Sequence, residues 1–510
     1  MKKFNTLFEL LKFPIKLLLI GYILFGIGTL LLGDNFSIFY NIENQIIVVI
    51  LEIFIKIGSF IILNFPLLII IKAVSRKTNS YVPILSSILG YALFLICTMI
   101  FTPSSMPAFA FDNILNINFE FINTSSGDNL IRYPLQTGLI GSFLVSFATR
   151  YTYKLSRKIN LSLLYILDKD ILAIIFNLIL CSIFGIIIAY IWPFIINEFI
   201  NIITFISQDI TNPINLFIYG LLEKITSLLS MVDIVREPFW YGINGGSWAN
   251  FTGETFVGDV GVWNAMINHN VDPLGFGRLI SPYYIINIFI YPAIILGFIT
   301  LYSSNISKLK VFPIVITSII ISITTGSLIP LEIMMLLLAP LLLFFHTILS
   351  CSLFSILGYI EANLGFIHSG NTALSTPGTI VDFIIYLRDP HMIDTLFYIF
   401  IIGCIFFVLY YLLTIIYFKY LSIDILQTGE SIKIVNDLIK SIGGITNIKY
   451  IECTPFRLMI ELKDTNIVNR NKLFDVGTDR ILEGRDMFTL FIGKKAPFIY
   501  RHLNNLLKRT

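Results

Sequence analysis

The sequence predicts a polytopic α-helical membrane protein, with about 8–10 transmembrane helices plus re-entrant hairpins and a small C-terminal α/β cytoplasmic domain. Three observations carry this. The 510 residues are 56% hydrophobic and only 13% charged, with a mean hydropathy of +0.83. Apolar runs of membrane-spanning length recur from Phe13 to Phe418. From about Leu426 onward the pattern changes to short amphipathic segments. The net charge of +3 is small and scattered, which excludes nucleic acid as a partner, since that requires a concentrated basic stripe.

Met1 to Lys16 is basic but carries Glu9, and Phe13 to Leu32 continues as a span with no small-residue cleavage site after it. This predicts a retained first helix and not a signal peptide. With the N-terminus in the cytoplasm, the outer connections Gly33–Gln45 and Thr102–Leu130 contain no Lys or Arg, whereas the inner ones carry Lys72, Arg76 and Lys77, then Arg150, Lys154, Arg157 and Lys158. The alternation obeys the positive-inside rule and predicts a multi-pass chain whose N-terminus and tail are cytoplasmic. Further spans are expected around Ile171–Ile195, Ile280–Leu301, Met334–Leu357 and Thr395–Phe418, with shorter pieces around Ile196–Leu229 and Leu309–Ile323.

The segment "TTGSLIPLEIMMLLLAPLLLFFH", residues 324 to 346, opens on a polar knot and then becomes strongly apolar. The apolar run before it, Val311 to Ile323, is too short for a straight crossing at ~1.5 Å per residue through ~30 Å of hydrocarbon. Irregular backbone at membrane depth must border protein or a wet cavity, so Gly326 and Pro330 predict a re-entrant hairpin lining a site. Glu332 facing lipid would cost ~2.5–3.5 kcal/mol, which points it inward, either as a hydroxyl acceptor or as a brace of the hairpin. Asp233 and Arg236 stand at a helical ion-pair spacing that suits a solvated turn or a cavity wall. Tyr241 to Met266 is rich in Gly, Asn, Trp and Asp, a composition shared by sugar-binding loops and external loops generally.

Cys97, Cys181, Cys351 and Cys404 lie in apolar runs, where a thiol behaves as a small hydrophobe, and Cys453 lies in the polar tail. No Cys/His spacing suggests a metal, and neither a disulfide framework nor a cofactor is expected. In the tail, "ESIKIVNDLIKSIGG" predicts a helix stopped by Gly443-Gly444, "IKYIECTPFRLMIEL" a strand broken at Pro455, "MFTLFIG" another strand, and "FIYRHLNNLLKR" a final basic helix. The expected division is a membrane domain over 1–420 and a tail domain over 426–510.

Several stretches, in order along the chain, resemble a known family: "LLKFPIKLLLIGYILFGIG", "NFPLLIIIKAVSRKTNSYVPILSSILGYALF", "IYGLLEKITSLLSMVDIVREPFW", "GRLISPYYIINIFIYPAIILGFITLYSS", the 324–346 segment and "IKSIGGITNIKYIECTPFRLMIEL". They are similar to those of bacterial phosphotransferase-system (PTS) sugar permeases of the glucose superfamily, in which a membrane enzyme IIC (EIIC) domain precedes a cytoplasmic enzyme IIB (EIIB) domain. The resemblance implies uptake of a hexose or hexose derivative, of the glucose, N-acetylglucosamine or α-glucoside class, coupled to its phosphorylation. It implies a phosphocysteine at Cys453 aided by Thr454 and Arg457, and substrate contacts at Glu332, Asp233, Arg236, Thr325, Gly326, Trp240 and His346. It also implies a homodimer in the bacterial cytoplasmic membrane, and a separate enzyme IIA (EIIA) phosphoryl donor fed by the phosphocarrier protein HPr.

The family's sugar-contacting Glu falls on Ile329, its His-His pair on Val232 and Asp233, and the Asn that follows on Arg236. The Thr and first Arg after the phosphorylated cysteine fall on Pro455 and Phe456, which leaves Arg457 one position late. On a strand that shift turns a side chain to the other face unless a bulge restores it. These departures leave a second possibility open, a phosphotransfer-deficient relative that acts as a sugar sensor, regulator or facilitator.

Overall fold

The computed structural model describes residues 2–33, 42–75, 80–103, 105–122, 129–159, 168–300, 332–333, 335–336, 339–366, 377–421, 429–454, 457–475, 478, 480–492 and 496–507. The polar knot at 324–330, with Thr325, Gly326, Ile329 and Pro330, lies outside the described residues, as do Pro455 and Phe456. The chain is mostly helical, with a small sheet toward its C-terminal end. Among the described residues six helices are long and apolar enough to cross a membrane: Phe13–Leu32, Gln45–Leu63, Val82–Phe101, Lys169–Ser207, Pro340–Tyr359 and Pro390–Phe418. Two shorter apolar helices, Phe65–Ser75 and Ser281–Gly297, accompany them.

By compactness the chain divides into Met1–Phe289 with Ile320–Cys404, and Ile290–Ile319 with Ile405–Thr510.

In the first unit, close packing depends on small residues. Helix Lys2–Leu32 lies against Gln45–Leu63 at Gly58, where an added Cβ would sit 2.6 Å from the Phe25 backbone nitrogen. Helix Val82–Phe101 packs on Lys169–Ser207 through Gly90 and Gly185, and buried Asn177 donates to the Ser86 carbonyl at 2.7 Å. Without a hydrophobic drive between helices in lipid, such close approaches and cross-helix hydrogen bonds hold a bundle together. Lys169–Ser207 is one helix of 39 residues that starts on the Asp168 side-chain cap, so Ile196–Ser207 continues the expected span as one piece with it. Pro193 lies inside it without ending it.

In the second unit Gly297 lets helix Tyr291–Thr300 meet Thr414 of Ile393–Leu421, an added Cβ falling 3.0 Å from the threonine Cβ. The tail forms a four-stranded antiparallel sheet in the order Ile448–Cys453, Arg457–Leu462, Met487–Phe491, Arg480–Glu483. Its helices Gly429–Ser441 and Ala496–Leu507 share one apolar core with it, built on Val435, Leu438, Leu458, Ile460, Leu490 and Leu503. The first of these helices stops where the sequence predicts, at Gly443 and Gly444, whose φ values of 84° and 104° are left-handed.

Candidate functional site

The first unit buries a charge network. Helix Pro213–Leu228, started by the Asn212 cap and Pro213, carries adjacent Glu223 and Lys224, whose side chains are both buried. Glu223 Oε1 accepts from Arg236 Nε at 3.0 Å and Nη2 at 2.6 Å. Arg236 belongs to helix Asp233–Trp240, and its Nη2 also donates to the Tyr283 hydroxyl at 3.2 Å. Lys224 Nζ donates to Glu332 Oε1 at 2.5 Å, and His346 Nε2 lies 3.2 Å from the same oxygen. Two carboxylates and two cations balance, which is how charge survives away from water.

Aromatic rings enclose the guanidinium. Its carbon stands 4.6 Å from the Trp240 ring centroid and 5.5 Å from that of Tyr283. Trp240 Nε1 donates to the Tyr219 hydroxyl at 2.8 Å, and Phe354 meets Tyr219 and Tyr283 edge-on. Gly220 makes this closeness possible, because a Cβ there would be 2.7 Å from the Phe354 ring. Ser355 Oγ, donating to the Pro213 carbonyl at 2.6 Å, ties helices Pro213–Leu228 and Pro340–Tyr359 together. Asp259, fully buried, accepts from the Gly277 and Leu279 backbone N–H groups at 2.9 and 3.0 Å, fixing the turn that leads to Ser281 and Tyr283.

Arg236, Glu332, His346 and Trp240 from the sequence reading therefore come together here. Glu332 braces Lys224 and His346. Trp240 is fully buried with Arg236 against its ring, so it acts as a wall for the guanidinium and is not an open face for a pyranose. Asp233 does not pair with Arg236, whose carboxylate partner is Glu223. Burial first, and then the Asp112 charge, hold the Asp233 carboxyl well above the usual carboxylate range. Thr325 and Gly326 lie outside the described residues. Sequence reading passed over Glu223 and Lys224, although two adjacent charges within "IYGLLEKITSLL" are the kind of signal that marks an intramembrane site. One oxygen of the network, Glu223 Oε2, is buried and has no hydrogen-bond partner among the described residues.

Residues Tyr241 to Met266 fold into a hairpin of Ser247–Ala249 with Thr255–Val257 and the helix that begins at Asp259. In the tail, Cys453 is half-buried, and its Sγ donates to the Thr454 carbonyl at 3.0 Å. Cys453 stands opposite Leu458 in the sheet, and Leu458 belongs to the core, so the cysteine shares the helix-covered face. Arg457 precedes Leu458 and is exposed on the other face, its guanidinium 4.9 Å from the Phe491 ring. Lys449 is engaged by Glu461 at 2.5 Å, which raises its pKa. No group of His, Cys, Asp and Glu suited to a metal occurs among the described residues. No protein-family model matches the chain.

Proposed function

We propose that this chain is a sugar permease of the phosphotransferase type, an EIIC-like membrane domain joined to an EIIB-like tail, which takes up a hexose or hexose derivative and phosphorylates it. The observation that carries the reading is the balanced, buried network of Glu223, Lys224, Arg236, Glu332 and His346 inside an otherwise apolar helical unit. Ionisable groups at such depth mark substrate pathways. In this reading Glu332 positions the sugar site from its place between Lys224 and His346. The Cys453 thiolate receives the phosphoryl group from a separate EIIA protein and passes it to a sugar hydroxyl. The protein works as a homodimer in the bacterial cytoplasmic membrane, with its tail in the cytoplasm.

The test is transfer of labelled phosphate from phosphoenolpyruvate and the general carriers to the purified full-length protein, with Cys453→Ser as control, alongside uptake of labelled hexoses into vesicles. Label on Cys453 together with hexose uptake is the expected result. Absence of both overturns the proposal.

A second reading, a relative that binds or conducts sugar without phosphotransfer, is favoured by the position of Arg457. Thiolate and transferred phosphate both need nearby positive charge, and this guanidinium stacks on Phe491 on the face opposite Cys453. Hexose uptake without label would select this reading.

A further inference from the structure

Glu332 and Glu223 are both buried carboxylates of one network, yet they stand in different states. Glu332 Oε1 takes both Lys224 and His346. Glu223 takes both of its contacts from Arg236 on Oε1, leaving Oε2 buried with no partner among the described residues. The Tyr283 hydroxyl, which accepts from Arg236, also interacts with the Glu223 carboxylate, while Oε2 itself has no hydrogen-bond partner among the described residues. A carboxylate accepts several hydrogen bonds, and an ionised oxygen kept dry without a donor is uncommon in a folded protein. Arg236 rests against the Trp240 and Tyr283 rings with both of its contacts to the carboxylate made on Oε1.

We infer that Glu223 Oε2 is the substrate-hydroxyl acceptor of this site and that Glu332, already engaged, is a positioning residue. The inference rests on the hexose-permease reading and assigns within it the group that selects substrate. It also defines the ligand class. Glu223 with Arg236, and Lys224 with Glu332, sum to zero charge, so a neutral hexose enters without leaving net charge in a dry site. A uronic acid or a free amino sugar would bring an unbalanced charge. An acceptor built for a hydroxyl discriminates strongly against the analogue that lacks it, because the carboxylate oxygen is again left alone.

The experiment is a cycle of protein substitution against hydroxyl deletion, read as dissociation constants of the detergent-purified full-length protein. Glucose, N-acetylglucosamine and methyl α-glucoside identify the sugar bound, and that sugar's monodeoxy analogues follow. In wild type one deoxy analogue is expected to bind about 10- to 100-fold more weakly than its parent. In Glu223→Gln the parent weakens by a similar factor and the same deoxy analogue suffers no further loss, while the other deoxy positions keep their wild-type penalties. Glu223→Asp, which keeps the charge and shortens the reach, is expected to reduce the penalty at that one position, and it serves where the Gln variant does not fold. Additive losses at every position would overturn the assignment of Glu223 while leaving sugar binding intact. No binding of any hexose to wild type would overturn the permease reading itself, and this inference with it.

Discussion

Lys224 and Glu332, 108 positions apart, meet at 2.5 Å in the interior of the first unit, with side chains 7% and 2% exposed. Removing one partner strands the other where water cannot reach it. Lys224→Met is expected to destabilise the protein by ~3–5 kcal/mol, and Lys224→Met combined with Glu332→Leu to recover much of that loss. Denaturant unfolding of the two variants in detergent checks this; equal losses would show that the pair does not act as a unit.

Arg457 stands on the face of the tail sheet away from Cys453. Arg457→Ala is therefore expected to leave the rate of Cys453 alkylation within about twofold of wild type, since a cation on the far face does not stabilise the thiolate. A tenfold drop in that rate would place the guanidinium at the sulfur.

Gly58 faces the backbone of Phe25 so closely that a side chain there must separate two helices. Gly58→Leu is expected to cost at least ~1–3 kcal/mol, the range for overpacking a well-filled contact. Gly253, with nothing within 4 Å of an added Cβ but a φ of 83°, offers a control in which strain acts without crowding. The comparison is made by thermal unfolding in one detergent.

Arg470 holds Glu483 through two hydrogen bonds, of 2.6 and 2.8 Å, and these lower the carboxyl pKa below its ordinary value. A carboxylate whose folded pKa is depressed contributes stability above its unfolded pKa of about 4.3 and loses it as pH falls through the lower folded value. Hydrogen exchange of strand Arg480–Glu483 in the full chain is expected to quicken below that window in wild type, and Arg470→Gln to flatten the dependence. Exposure of both side chains keeps the effect small.

Composition and periodicity disclosed the helical bundle, the α/β tail and the Gly443-Gly444 stop, because burial in lipid and glycine's backbone freedom leave local marks. The ends of long helices were less legible. A span was expected to close near Ile195, yet Lys169–Ser207 runs on, since no glycine follows Ile195 within it and Pro193 alone does not break the helix among apolar neighbours. Of the charge network, Glu332 was visible as a carboxylate in an apolar run. Its partner was not, because Lys224 is joined to it only by tertiary packing. The pairing of Arg236 was misjudged for the same reason: sequence spacing favours Asp233, three residues away, whereas the fold offers Glu223.

The length of Lys169–Ser207 carries a consequence for the surrounding lipid. At ~1.5 Å per residue it measures about 58 Å, nearly twice the ~30 Å of a hydrocarbon layer. Leaning alone would need close to 60°, beyond the usual range of about 0–40°. One end of this rod therefore reaches into the headgroup zone or past it, where Phe194 and Phe205, 73% and 52% exposed, would meet water in a thin membrane. Reconstitution into bilayers of graded thickness is therefore expected to shift the thermal stability of the protein, with an optimum on the thick side.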